Sequence, residues 1–377
     1  MKKRLTNLII SFLIFLASSN TCFATNYYIT PTGAGLKNGS SWANAFDWTG
    51  FDTSAAASVS NDHYWLLGGT YTVPAGGTVA TSRDGLISGS IWVIGVKSTT
   101  TAEPPTVADW AYGDDRPYID LTTNTEYMQL DNYWNIYNLR MIGDGAFVLR
   151  VDYYSSIYNV KVISSGGVGT DAIYMYGLGF ISNSEVSNPD GTALFMGQEI
   201  FATGVYAHDS ATGFEHLTSD NYIINSVAET CVTGIDINTA NEAYVANSVI
   251  YNNITGIKAT TQTTGSSRFF NNIIVNNTTG ASWDDDADSN YWDFNIWDNT
   301  TDGANITTGS NSITGDPGFT DPDATPPDFT VGEGSNALDA GLPFSIGLTG
   351  DLKWNVGISQ DDATVGGGGT TSYGFSN

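Results

Sequence analysis

One short phrase recurs along this chain: IYNLRMIG from Ile136, IYNVKVIS from Ile157, ISNSEVSN from Ile181, IINSVAET from Ile223, VANSVIYN from Val245 and FFNNIIVN from Phe269. Its marker residues Asn138, Asn159, Asn183, Asn225, Asn247 and Asn271 are separated by 21, 24, 42, 22 and 24 residues, and Thr203 in IFATGVYA fills the double interval. A second marker, Gly191, Gly213, Gly234, Gly256 and Gly280, keeps the same step at 22, 21, 22 and 24. Two markers in phase, short β-rich runs and no helical periodicity describe units that bury their apolar face only by stacking on one another. The fold class expected is all-β, a single-stranded parallel β-helix with a period of about 22 residues.

Such stacking gives the markers physical roles. Coils about 4.8 Å apart bring like side chains into ladders, and an asparagine amide can donate to the carbonyl of the next coil. Asparagine also tolerates the left-handed backbone of a sharp corner, and glycine is expected to do the same at another corner. Ile, Val and Leu between the markers would form the continuous core. About ten coils would make a rod roughly 50 Å long, whose two open ends need caps. The composition agrees, with 42 glycines, 12% aromatic and only 14% charged residues.

The opening MKKRLTNLIISFLIFLASSNTCFA, with its basic start and apolar run from Leu5 to Leu16, reads as a signal peptide cleaved near Ala24. Export to the outside or the cell surface is therefore expected, with no membrane insertion after cleavage. Cleavage removes Cys22 and leaves Cys231 alone, so no intrachain disulfide is expected. It also removes three of the 13 basic residues, leaving ten against 39 acidic ones, a balance of −29. That charge disfavours nucleic acid as a partner. It also opposes an anionic polysaccharide, unless a cation or a local basic patch reverses the field.

NYYITPTGAGLKNGSSWANAF, residues 26–46, resembles the leading segment of secreted right-handed parallel β-helix proteins of the pectate-lyase-like superfamily. GDPGFTDPDATPPDFTVGEGSNALDAG, residues 315–341, resembles their closing segment. With the repeats between, the resemblance implies right-handed coils throughout. The division expected is a signal peptide (1–24), an N-terminal cap and first coils (25–130), regular coils (131–314), a C-terminal coil and cap (315–365) and a Gly-rich flexible tail (366–377). The resemblance further implies a polysaccharide or cell-surface glycan as partner. Lyases of this superfamily take a proton beside a uronate carboxylate with Lys or Arg while Ca2+ on acidic residues offsets the carboxylate charge. That combination meets the chemical need for a base and for charge neutralisation.

Four sets of residues are candidates for such chemistry. Two positions beyond the glycine marker lie Ala193, Glu215, Asp236 and Lys258, expected in one outward column. Neighbouring carboxylates share a cation or raise one another's pKa, and Lys258 one coil further is a candidate base. Two positions beyond the asparagine marker lie Arg140, Lys161 and Glu185. The first two resemble, in reversed order, the basic pair of the alginate-lyase and chondroitinase group. AHDSATGFEH is expected to bring His208 and Asp209 near Glu215 and His216, where a histidine can serve as acid or base. In WDDDADSN, Asp284, Asp286 and Asp288 alternate with Asn290 in phase, a pattern of hard oxygen ligands suited to Ca2+. Tyr153, Tyr154, Tyr174, Tyr176 and Tyr206 fall where sugar rings can stack.

Two functions follow as expectations. The first is a polysaccharide-interacting protein acting as a calcium-assisted lyase. The second is a noncatalytic surface, adhesive or phage-fibre rod. A serine-nucleophile elbow and a phosphate loop do not stand out in the sequence.

Overall fold

The computed structural model describes residues 25–337, apart from residues 75–78, 81–84, 86–88, 123–126, 218–219, 239–241, 260–266, 284–289, 305, 325–326, 332–334 and 336. Three long parallel sheets of eleven, eleven and ten strands run side by side along one axis. A representative coil enters the first sheet at Ser156–Tyr158, the second at Lys161–Ser164 and the third at Asp171–Gly177, then returns to the first at Phe180–Ser182. The architecture is therefore a parallel β-helix, with its first strand at Asn26–Ile29.

The register stacks like on like. On the inner side of the first sheet Ile136, Ile157, Ile181, Ala202, Ile223, Val245, Phe269 and Trp292 pair in succession. All are buried in one continuous core. Near the amino end a helix, Trp48–Ala55, begins at Asp47, whose side chain accepts from Gly50 N. Its buried face, Trp48, Phe51 and Ala55, joins this core, with Phe51 against Tyr64 and Trp48 against Tyr71. Near the other end the antiparallel strands Phe319–Asp321 and Asp328–Val331 lie along the outer face of the second sheet. There Phe319, Phe329 and Val331 cover Val227, Val249, Tyr251, Ile273 and Ile296.

The markers work as corners, with three corrections. Asn138, Asn159, Asn183, Asn225, Asn247 and Asn271 all have φ between 48° and 58°, the left-handed region. The coil between Asn183 and Asn225 turns at Gly204 (φ 62°), because Thr203 pairs with Ser182 inside the strand. The hydrogen-bonded ladder, interrupted at Val205, is displaced by one residue from these corners. Ser184 Oγ accepts from Val160 N, Ser226 Oγ from Val205 N, Ser248 Oγ from Ser226 N, Asn272 Oδ1 from Ser248 N and Asn295 Oδ1 from Asn272 N. The next corner repeats the device: Asn252 and Asn276 are left-handed, while Asn253, Asn277 and Asn299 form the buried ladder. The marker glycines are not left-handed at all. A Cβ on Gly213, Gly234, Gly256 or Gly280 would lie 2.6 Å or less from a backbone oxygen of the following coil, so close approach is what excludes a side chain.

Candidate functional site

Two outward surfaces gather ionisable groups, one on the second sheet and one on the third. On the second sheet the register runs Tyr118, Arg140, Lys161, Glu185 and Tyr206, so the expected neighbours Arg140, Lys161 and Glu185 occupy successive coils. Two positions along, Ser187, His208 and Glu229 form a second column. Side chains from both columns converge. Lys161 Nζ and His208 Nε2 approach the same Glu185 oxygen, at 2.6 and 3.3 Å, and His208 Nδ1 lies 2.8 Å from Asp209 Oδ2. The Tyr206 ring stacks on His208 at 4.3 Å, and its hydroxyl donates to Glu229 Oε2 at 2.5 Å.

The preceding loop adds Arg116, whose guanidinium donates to Asn159, and Asp114, which pairs with Arg140 at 2.7 Å. Arg140 also lies over the Tyr118 ring. From Tyr118 to Tyr206 is four coil steps, about 19 Å at the usual strand spacing. Beyond Tyr206 the C-terminal strands cover the sheet.

Electrostatics follow from this packing. Burial pushes the Glu185 carboxyl up, but hydrogen bonds and charge from His208 and Lys161 outweigh it and hold it down at about 2. Burial pulls His208 down, yet Glu185 and Asp209 together leave it above its ordinary value. His208 is consequently held protonated where a free histidine would be losing its proton. Burial raises Glu229 above the usual carboxylate range despite the Tyr206 hydrogen bond.

On the third sheet the outward column is Arg150, Tyr174, Phe195, Glu215, Asp236, Lys258 and Ser282. The expected succession Glu215, Asp236, Lys258 is present, with Lys258 Nζ 3.4 Å from Asp236 Oδ2. The residue before Glu215 is Phe195 and not Ala193, because the corner around Gly191 shifts the strand start so that Thr192 pairs with Thr212. Glu215 accepts from Thr192 Oγ1 and Asn238 Nδ2, each at 2.7 Å. Tyr174 stacks on Phe195 at 4.5 Å and carries the Arg150 guanidinium over its ring. Burial raises Asp236, with Lys258 opposing it.

The two surfaces separate residues expected together. His208 belongs to the second sheet, with Glu185, whereas Glu215 and Asp236 belong to the third. His216 points inward, 1% exposed, and burial pulls it down to about 4. Asp284, Asp286 and Asp288 lie outside the described residues. Asn290 accepts from Ser267 N, a coil-to-coil bond. Among the described residues, which do not include Asp284, Asp286 and Asp288, no three of His, Cys, Asp and Glu converge to hold a metal ion. Also among them, no helix is long and apolar enough to cross a membrane. Of the flagged tyrosines, Tyr174 and Tyr206 belong to these surfaces, while Tyr154 stacks on Tyr133 and Tyr153 meets Tyr176 edge-on.

Sequence reasoning missed Arg116, Asp171, Thr192 and Asn238. Thr192 did carry a signal: Thr192, Thr212, Thr233, Thr255, Thr279 and Thr301 form one register column, more regular than the glycine marker.

No protein-family model matches the chain, and no curated protein matches its sequence. Among solved structures, pectate lyase Pel9A superposes with a TM-score of 0.61 at 15% identity, over 91% of this chain and 97% of that one. An alginate lyase from Paenibacillus sp. gives 0.49 at 13% identity, over 71% of this chain and 96% of its own. A rhamnogalacturonan lyase gives 0.46 at 12%, over 80% and 91%. At these identities the likeness concerns the fold alone: the chain is a right-handed parallel β-helix.

Proposed function

We propose that this protein is exported and acts on an acidic polysaccharide laid along the open outer face of the second sheet, between Tyr118 and Tyr206. The observation that carries the reading is the convergence of Arg116, Arg140, Lys161 and the protonated His208 on one face of a chain with 13 basic and 39 acidic residues. So many cations in so acidic a chain form the local patch that an anionic glycan requires. The architecture shared with a pectate lyase is consistent with this but does not assign it. The third-sheet face sets Asp152, Asp171, Glu215 and Asp236 against Arg150 and Lys258, which makes it the poorer one for an anion.

The chemistry proposed is β-elimination. Arg140 and Arg116 hold the uronate carboxylate and offset the charge that develops beside it. Lys161, after releasing its own proton to solvent, takes the proton next to that carboxylate, and His208 gives its proton to the departing glycosidic oxygen. No step is routed through calcium; a contribution from residues 284–290 is a matter for the assay.

The test is ultraviolet absorbance of unsaturated uronate during incubation with pectate, alginate and glycosaminoglycans, with Ca2+ and with chelator. Product should form with the native protein and fall at least about 100-fold in Lys161→Ala, the usual scale for a lost acid or base. If no acidic polysaccharide is either cleaved or retained in an affinity gel, the reading fails. The second reading, a noncatalytic rod, rests on the half-exposed ring stack Phe180, Phe201, Tyr222 and Tyr244 along the first sheet. It predicts glycan or surface retention without turnover.

A further inference from the structure

The acids on the outer face of the second sheet are held to different degrees. Glu185 takes both Lys161 and His208 on one oxygen, and its side chain is 28% exposed. Glu229 is 9% exposed and accepts from the Tyr206 hydroxyl. Asp209, with a side chain 63% exposed, pairs with His208 at 2.8 Å. Asp114 makes one ion pair, to Arg140 Nη1 at 2.7 Å, from a side chain that is 89% exposed. An exposed carboxylate stays hydrated whether or not it is paired, so Asp114 is the acid that leaves its partner most readily.

The chain nevertheless delivers that carboxylate to a set place. Gly113–Asp115 form one 3-10 turn in the loop ahead of Tyr118. Arg116 ties this turn down: its Nε donates to Gly113 O at 2.8 Å, and its Nη1 donates to Asn159 O and Oδ1 at 3.2 and 3.3 Å. Arg140 is positioned in turn by the Tyr118 ring, with its guanidinium 5.4 Å from the ring centre, and Lys161 follows it in the next coil. A carboxylate set on a positioned guanidinium, open to solvent and one coil from a lysine, makes the contact that a uronate on this face would make.

We propose that Asp114 sets the charge selectivity of this face, an inference that rests on the reading of the face as the glycan site. Its carboxylate occupies Arg140 while the sugar above is absent or uncharged, and a uronate carboxylate displaces it. A uronate therefore gains the Arg140 contact and forfeits the Asp114 one, whereas an esterified sugar leaves the resident pair intact. The exchange nearly balances, so the native subsite accepts charged and uncharged sugars almost alike. An exposed ion pair is closed over open by a ratio of about 1.4 to 5, and the open fraction scales the apparent affinity, so loss of Asp114 should tighten uronate binding by about 2- to 6-fold. The ester, which makes no use of Arg140, should not respond.

The test is affinity electrophoresis in gels of pectate, alginate and hyaluronan, each run beside its methyl ester. On the acidic polymer that retains the native protein, Asp114→Asn should strengthen retention by about 2- to 6-fold and leave retention on the ester unchanged. Asp115→Asn makes the same change of charge on the neighbouring exposed aspartate and should give little of that gain. In an Arg140→Gln background Asp114→Asn should add nothing, because the contact the two residues share is already lost. An equal gain in Asp115→Asn, or an equal gain on the ester, overturns the proposal, since net charge or a general change of the face would then account for it. A retained native protein with an unchanged Asp114→Asn variant refutes this inference alone. Native protein and variant both passing every acidic gel unretarded refute the glycan reading and this inference with it.

Discussion

Asn277→Ala should cost this protein about 3–5 kcal/mol, and the figure can be worked from the ladder. Asn277 Oδ1 accepts from Asn253 N at 2.9 Å and from Asn253 Nδ2 at 3.0 Å. Its amide donates to Asn299 Oδ1 at 2.8 Å and to Ile250 O at 3.0 Å. Truncation leaves the buried Asn253 N–H without its acceptor, at about 1–3 kcal/mol, and removes further bonds worth about 0.5–1.5 kcal/mol each. The preceding residue is the internal control. Asn276 sits at φ 58° and is exposed, so Asn276→Ala incurs only the left-handed penalty of about 1–2 kcal/mol. Urea unfolding of the two variants measures the difference, provided the slope against denaturant is unchanged. If Asn277→Ala costs less than Asn276→Ala, the corner and the ladder have been assigned to the wrong asparagines.

Gly234→Ala should destabilise by about 1–3 kcal/mol, read as a fall in thermal midpoint, because its Cβ would sit 2.6 Å from Gly256 O, a backbone atom held by its own coil. Glu185→Gln should lower the His208 pKa, followed by NMR titration, since Glu185 is the first of the groups that raise it. The stability cost of that variant should depend on pH in a defined sense. The low Glu185 pKa stabilises above the unfolded glutamate value, and this is lost as pH falls towards about 2. The raised His208 pKa stabilises below the unfolded histidine value and is lost as pH climbs through the folded one. The full cost should therefore appear between about pH 4.3 and 6.5, the ordinary glutamate and histidine values, and shrink on either side. Retention on an acidic-polysaccharide gel should weaken steeply with salt, because the second-sheet cations are partly open to solvent.

The coils were legible because stacking forces periodicity on residues of every kind at once, and an inserted residue moves both markers together. What each marker does was less legible. Asn252–Asn253, Asn271–Asn272 and Asn276–Asn277 are doublets whose members look alike in sequence. Only the backbone shows that the first turns the chain and the second bonds coil to coil. The glycines were read as corners because a left-handed backbone is the common reason for a repeated glycine. Here the reason is a backbone oxygen in the next coil, which a single sequence does not display. Thr203 stands where the counted interval ends, one residue before Gly204, the residue that turns.

The candidate surfaces follow the same logic. Arg140, Lys161 and Glu185 were found because each lies at a fixed offset from a marker within one sheet. Arg116 was not, since it belongs to a loop outside the period and reaches the cluster through Asn159. His208 was misplaced because nearness along the chain was read as nearness in space. Residues 208 and 215 fall on either side of a corner, so Glu185, 23 residues earlier, is the true neighbour. In a coil of about 22 residues, one full period is closer than seven residues around a bend. The corners thereby divide charge unevenly: Arg116, Arg140, Lys161 and His208 lie among Asp114, Glu185, Asp209 and Glu229 on the second sheet, whereas Arg150 and Lys258 lie among Asp152, Asp171, Glu215 and Asp236 on the third. The surplus carboxylates of the third sheet repel a uronate there. Comparing retention of an acidic polymer by variants of each face therefore tests the division itself: Lys161→Ala should weaken it and Glu215→Gln should not.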